Sequence, residues 1–313
     1  MSLQVTHRPK TFKDLVGNKE VVKSLESVLY RKKKEKKLSR NIPSAFLITG
    51  PSGTGKTTIA YIIKNALKCS DADYIELNAS KDRGIGAIRT LEENLKFTPL
   101  DGDKKVILLD EAHMLTNESG EALLKVLEQP PEYVHFCVAT TNPEKLKPTF
   151  KRRCHQYELS LLLEAEMNEL VDKILKKEKV KKFSKDVKER IIELADGSPG
   201  QALKLLDQVI DMKDKKEAIK VLQSIGVTEK EVRELCQALV KGDINITKEF
   251  LKTFNTGKTS PESVRMAVLG YMNTVMINRW DERTAFVIDQ FLESFMYSGK
   301  AGLTNACFYA LKG

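Results

Sequence analysis

The stretch Gly50-Pro51-Ser52-Gly53-Thr54-Gly55-Lys56-Thr57 lies between an apolar run, Ala45 to Ile48, and a helix-like segment, Thr58 to Leu67. Strand, glycine-rich loop and helix in that order are the context a nucleoside-triphosphate site requires. Glycines at 50, 53 and 55 let the backbone curl until successive N–H groups face a phosphate, with the helix N-terminus behind them. Lys56 is placed to reach the β- and γ-phosphates, and the Thr57 hydroxyl to hold Mg²⁺. Pro51, Ser52, Thr54 and Thr58 complete the set of nucleotide-binding positions. A tight turn alone would explain the glycines, but not Lys-Thr at that offset. The stretch predicts a site for ATP or GTP.

Its second half lies about fifty residues on. Val106-Ile107-Leu108-Leu109 is a continuous apolar run, as expected for a strand buried on both faces of a parallel sheet. It ends in Asp110-Glu111, at the C-terminal edge where ligands of open α/β sheets sit. Asp110 is expected to hold Mg²⁺ through its water shell, and Glu111 to orient the attacking water, a matter of positioning and electrostatics. An acidic pair also starts helices, and Ala112 to Leu127 reads as helical; the two readings are compatible. The letters Asp110-Glu111-Ala112-His113 invite a helicase reading, which four residues do not support.

A chain of 313 residues exceeds one typical core and suggests two or three domains. Apolar content of 41% and charged content of 30% fit a globular protein. No run approaches the ~18 to 20 apolar residues of a membrane span, and Met1 to Lys10 lacks a signal-peptide core. The five cysteines (69, 137, 154, 236 and 307) form no Cys-x-x-Cys pair, so no zinc module is expected, and their scatter fits a reducing cytoplasm. A formal charge of +9 points towards an anionic partner without specifying one.

Three regions separate along the chain. Residues 1–158 alternate strand-like segments (Ala45–Thr49, Tyr74–Asn78, Val106–Asp110, Val134–Thr140, His155–Glu158) with helix-like ones, which predicts an α/β module: a parallel sheet with helices on both faces. Residues 159–214 read as an α-helical domain of three helices, Ala165–Glu178, Lys185–Asp196 and Gly200–Met212, with Ser198 as cap and Pro199 in the first turn of the last. Residues 215–313 read as an α-helical C-terminal domain broken near Gly226, Gly242, Gly257–Pro261 and Gly299. The basic run Arg31 to Lys37 reads as a solvated helix end or loop, with a nucleic-acid contact as the rival. The apolar residues from Phe286 to Tyr297 read as a core helix, with an interface as the alternative.

Further strings accompany the loop and the carboxylate pair. Arg8-Pro9-x-x-Phe12-x-Asp14-Leu15-Val16-Gly17 opens the chain. Later come Leu123-Leu124-Lys125-x-Leu127-Glu128-x-Pro130-Pro131-Glu132, Ala139-Thr140-Thr141-Asn142-Pro143-x-Lys145-Leu146, and Arg153-Cys154. In this order and spacing the chain resembles the motor subunits of sliding-clamp loaders, in the AAA+ class. Residues 105–154 resemble the bacterial polymerase III gamma type. The segment Ala79-Ser80-Lys81-Asp82-Arg83-Gly84-Ile85-x-x-Ile88-Arg89 is more similar to archaeal and eukaryotic small subunits of replication factor C. The similarity runs over about residues 7 to 206.

The resemblance implies a role for each matching position. Arg8, Val16 and Gly17 would border the adenine. Thr141 would sense the γ-phosphate or attacking water from a strand end. Arg153 would reach into a neighbouring subunit's site, where such fingers supply about 10³ to 10⁵ in rate. Arg83, Gly84, Ile85 and Arg89 would meet DNA phosphates at a helix N-terminus, contacts that carry no base code. Two positions depart from the pattern. Gly200, in Gly197-Ser198-Pro199-Gly200-Gln201-Ala202-Leu203, stands where the family's lid carries an arginine, a form similar to the stator, or delta-prime, subunits. Arg152 stands where the family has serine. The zinc-binding cysteine cluster of bacterial subunits is missing, which leans towards a phage, archaeal-like or divergent form.

The resemblance thus implies an ATPase that uses ATP and Mg²⁺, with a sliding clamp, primer–template DNA and further loader subunits in a five-membered ring as partners. Residues 159–214 would form a three-helix lid and residues 215–313 the helical collar of that ring. The expected location is the cytoplasmic replisome, in a host cell if the gene is a phage's. Two other readings stand beside it. A Holliday-junction branch-migration motor shares the N-terminal logic but would end in a winged helix with strand-like hairpins. A stator would bind nucleotide with little turnover.

Overall fold

The computed structural model describes residues 2–32, 37–212, 214–223, 229–254, 256 and 259–312. The chain divides into two compact units, Met1–Ile174 with Gly197–Lys204, and Leu175–Asp196 with Leu205–Gly313. The segment read as a lid, residues 159–214, is therefore shared between the two.

The first unit is built on a five-stranded parallel sheet: β1 (Ala45–Thr49), β2 (Tyr74–Asn78), β3 (Lys105–Asp110), β4 (Val134–Thr140) and β5 (His155–Glu158), in the spatial order β2-β3-β4-β1-β5. Continuous apolar strands make sense here because helices cover both faces. Alternate residues go to opposite sides. Phe46, Ile48, Val106, Leu108, Cys137 and Ala139 pack with Ile59, Ile62 and Ile63 of the helix Lys56–Ala66 and with Leu25 and Leu29. Ala45, Leu47, Ile107, Leu109, Phe136 and Val138 pack with Ile88, Leu91, Leu123 and Leu127 from the helices Ile85–Leu95 and Asn117–Glu128. The order puts β1 and β3 either side of β4, so their C-terminal ends open on the same edge of the sheet.

Two expectations are corrected. The helix expected over Ala112 to Leu127 is a single 3-10 turn, Ala112–Met114, followed by a helix from Asn117. Leu115 ends the first and Thr116 caps the second, accepting from Ser119 N at 3.2 Å. The basic run does not begin as a helix end: Tyr30–Lys32 is a strand paired antiparallel with Lys37–Leu38. Residues 33–36 of that run lie outside the described residues, as do the breaks expected at Gly226 and Gly257.

The second unit is helical throughout its described residues. Glu229–Lys241, Ile244–Thr253, Pro261–Arg279, Glu282–Gln290 and Gly299–Lys312 enclose a core of Leu235, Leu239, Val264, Val268, Met272, Val287, Phe291 and Leu303. Their starts are encoded locally. Asp243, Ser260 and Asp281 each accept from a backbone N–H in the following turn, and Pro261 occupies the first turn behind Ser260. From Phe286 to Tyr297 the apolar residues split: Val287, Phe291 and Phe295 are buried, while Leu292, Met296 and Tyr297 are exposed. No described helix is long and apolar enough to cross a membrane.

Candidate nucleotide site

The glycines of the loop bend it as their sequence positions imply. Gly50, Gly53 and Gly55 have φ of 141°, 74° and 101°, a region closed to most side chains. Thr54 ties the loop to itself through Oγ1 to Pro51 O at 2.8 Å. Gly55 starts the helix Lys56–Ala66, whose first N–H groups therefore open onto the loop's concavity. Lys56 is 6% exposed, and its Nζ donates to Gly50 O and Pro51 O, each at 2.9 Å. Burial lowers its pKa, and the nearby carboxylates of Glu111 and Asp110 act in the opposite direction. Thr58, one residue beyond Thr57, is half-buried in the same first turn.

The carboxylate pair meets the loop at the edge of the sheet. Thr57 Oγ1 donates to Asp110 Oδ2 at 3.0 Å, and Asp110 Oδ1 accepts from Glu111 N at 3.0 Å. Glu111 has φ of 51°, the left-handed region, which turns the chain sharply off β3. Thr141, just past β4, donates from Oγ1 to Glu111 Oε2 at 3.2 Å. Three elements, 57, 110–111 and 141, thus form one polar network. An oxygen donor set of hydroxyl and carboxylate beside a buried lysine is the chemistry that suits Mg²⁺ and a polyphosphate. The residues present fit such a ligand.

A further segment closes on the same loop. Gly200 N donates to Gly53 O at 2.9 Å and Ser198 Oγ to Ser52 O at 3.4 Å, while Gln4 Nε2 donates to Gly200 O. A Cβ on Gly200 would lie 3.1 Å from Gly53 Cα and from Gly53 O. The glycine that stands where the resembling family has arginine is therefore the residue that lets this backbone contact form. Sequence reasoning noticed Gly200 only as a missing charge; nothing local signals a partner about 150 residues away.

The other expected positions lie outside this network. The Arg8 guanidinium is over the Tyr61 ring, 5.8 Å from its centre. The Val16-Gly17 turn leads into Asn18, whose side chain brackets Ser160: Oδ1 accepts from Ser160 N at 2.9 Å and Nδ2 donates to Ser160 O at 3.1 Å. Arg83, Gly84 and Arg89 are exposed and Ile85 half-buried at the start of Ile85–Leu95. That helix start is anchored, since Arg83 O accepts from Thr116 N at 3.2 Å and Ser119 Oγ at 2.8 Å. Arg153 is at the surface, held on its own chain by Glu128 Oε1 at 2.5 Å and Thr149 O at 3.0 Å. Missed altogether was His113, whose ring lies against both Thr140 and Glu111. Its only sequence signal was its place at the end of the acidic box.

The chain is similar to known proteins in sequence and in fold. Residues 74–162 match the family model described as DNA polymerase III, delta subunit. The tau/gamma subunit of DNA polymerase III from Haemophilus influenzae is 35% identical over 239 aligned residues, covering 69% of this chain and 33% of the relative. The tau subunit of Bacillus subtilis is 34% identical, covering 67% of this chain and 40% of the relative. The gamma/tau subunit of Mycoplasma genitalium is 32% identical over 80% of this chain and 44% of its own length. The chain thus spans a third to somewhat under half of these curated relatives. Among solved structures, the Thermotoga maritima RuvB Holliday junction branch migration motor superposes with a TM-score of 0.58 at 22% identity, over 77% of this chain and 80% of that one. That likeness is one of fold. The chain has the AAA+ fold, and in sequence it is similar to the gamma and tau subunits of DNA polymerase III.

Proposed function

We propose that this chain is an ATPase subunit of a sliding-clamp loader. The observation that carries the reading is the network of Thr57, Asp110, Glu111 and Thr141 beside the buried Lys56, on a chain whose sequence relatives are polymerase III subunits. In it the loop N–H groups and Lys56 bind the polyphosphate of ATP, and Thr57 with Asp110 hold Mg²⁺. When bound, the metal neutralises charge on the β- and γ-phosphate oxygens. Glu111, held by Thr141, orients the attacking water. Arg153 serves a neighbouring chain's site, so turnover depends on assembly. Nucleotide binding favours an open clamp and engagement of primer–template DNA through Arg83, the turn at Gly84-Ile85 and Arg89. Hydrolysis releases the closed clamp. Residues 159–214 serve as the lid domain and 215–313 as the collar of a pentameric ring.

A second reading, a stator that holds nucleotide with little turnover, is favoured by Gly200 and its contact with Gly53. Against it stand Lys56, Thr57, Asp110 and Glu111, all present. The branch-migration reading expects strands in residues 215–313; among the described residues that region holds only helices. Steady-state ATP turnover, with and without primer–template DNA and the chain's own assembly subunits, tests the proposal. Stimulation by DNA and subunits, abolished by Glu111→Gln, is expected. Tight ATP binding without turnover under every combination would leave the stator.

A further inference from the structure

His113 is not needed to explain the phosphate loop or its carboxylates, yet it is built into them. It sits in the single 3-10 turn Ala112–Met114 directly after Glu111, with a side chain 9% exposed. Its Nδ1 lies 3.0 Å from Thr140 Oγ1 and 3.4 Å from Glu111 Oε2. Thr140 is itself fully buried, and its Oγ1 accepts from Asn142 N at 3.1 Å, which fixes it on the end of β4. Thr141 donates to the same Glu111 oxygen, Oε2, at 3.2 Å. Two groups therefore converge on Oε2, and Oε1 takes no hydrogen bond among the described residues.

We propose that His113 is a positioning residue for Glu111, holding Oε2 so that Oε1 alone faces the water to be activated. The inference rests on the reading of Glu111 as the residue that orients that water. A neutral imidazole carries its proton on one nitrogen only. With Nδ1 bare, its lone pair would point at a carboxylate oxygen. With the proton on Nδ1, the N–H is 3.0 Å from Thr140 Oγ1, which accepts it, and its positive end lies 3.4 Å from Glu111 Oε2. The carboxylate thus selects the Nδ1–H form, as a hydrogen-bond partner on one ring nitrogen usually does. Without the ring, Glu111 is restrained by one hydroxyl while Lys56 attracts its charge. Because the step is one of positioning, a small swing of the carboxylate is costly in rate.

The test is ATP turnover by the full chain in its assembly, carrying His113→Ala, His113→Asn or either with Glu111→Gln. His113→Ala is expected to lower kcat about ten- to a hundredfold. KM and the affinity for a fluorescent ATP analogue should stay within about twofold. Asn places an amide N–H where Nδ1 was, so His113→Asn should recover most of the rate. Neither change should matter once Glu111 is Gln. An unchanged kcat in His113→Ala, an equal loss in His113→Asn, or full additivity with Glu111→Gln would overturn the proposal. Nitrogen-edited NMR of the four histidines gives a readout that needs no turnover. A proton on Nδ1 of His113, moving to Nε2 in Glu111→Ala, is expected. A wild-type proton on Nε2 alone overturns the contact even in an active chain. No turnover by the wild-type assembly instead overturns the hydrolytic reading, and the positioning role with it.

Discussion

Lys56 carries a buried charge whose present partners are two loop carbonyls, Gly50 O and Pro51 O. An ammonium has three donors, so one remains for a ligand. Burial lowers its pKa against the pull of Glu111 and Asp110, and a polyphosphate would favour the charged form. Charge-assisted contacts of this kind are worth about 1.5–3 kcal/mol, so Lys56→Ala should weaken ATP binding about ten- to a hundredfold by titration. An unchanged affinity would place the nucleotide elsewhere. Gly200 makes the opposite demand, for absence of bulk. Gly200→Arg would restore the family's charge but set a Cβ 3.1 Å from the Gly53 backbone. Faster hydrogen exchange at the residue-200 amide is expected, without a gain in turnover; preserved protection with raised turnover would mean that the contact is incidental. The network of Thr57, Asp110, Glu111 and Thr141 was legible because loop, box and strand-end motifs each specify a local backbone shape. His113 and Gly200 were not, because their partners are set by how β3, β4 and the loop meet, and no spacing encodes that.

The strands illustrate how far local pattern reaches at the level of elements. Four of the five match their sequence bounds, and β3 gains only Lys105 at its start. Lys105 is a charge inside the sheet that apolar patterning excludes; its Nζ instead donates to Asn94 O at 3.1 Å and Phe97 O at 3.0 Å, closing the end of Ile85–Leu95. Asp73 does the converse at the start of β2, accepting from Leu100 N at 2.7 Å, Asp101 N at 2.9 Å and Ser70 Oγ at 2.9 Å. Two charged side chains thereby fix the segment 97–101 from both ends. Burial pushes the Asp73 carboxyl up, but these hydrogen bonds and Lys105 outweigh it and hold its pKa below the usual value. A depressed carboxylate stabilises the fold above its unfolded pKa of ~3.9, and that stability is lost as pH falls through the folded value. Asp73→Asn should therefore have a lower urea midpoint at neutral pH, with the gap to wild type narrowing below about pH 4. A gap independent of pH would refute the assignment. The helix break at Leu115 and Thr116 escaped the sequence reading because Ala112 to Leu127 keeps a helical apolar period. The cap at Thr116 is chosen by contacts with the Arg83 carbonyl.

For the whole molecule, the helical character of residues 215–313 was readable from periodicity and caps, but the way the segment 159–214 is shared between the two units was not. Charge is likewise a whole-molecule property, and a net +9 says little until it is located. Arg83 and Arg89 stand exposed at an anchored helix start, where phosphates are well received. Each should contribute about one to the slope of log K against log salt for primer–template binding, and Arg83→Ala with Arg89→Ala should reduce the slope by about two. An unaltered slope would move the DNA contact off this helix. The central claim is that the site is completed by a neighbour, and Arg153 tests it most directly. In the isolated chain its guanidinium rests on Glu128 and Thr149 O. ATP turnover per chain, measured across a dilution series of the assembly with and without Arg153→Ala, decides the matter. The account predicts turnover that falls on dilution and drops about 10³-fold in the variant, with ATP affinity retained. Turnover indifferent to both dilution and Arg153 would contradict it.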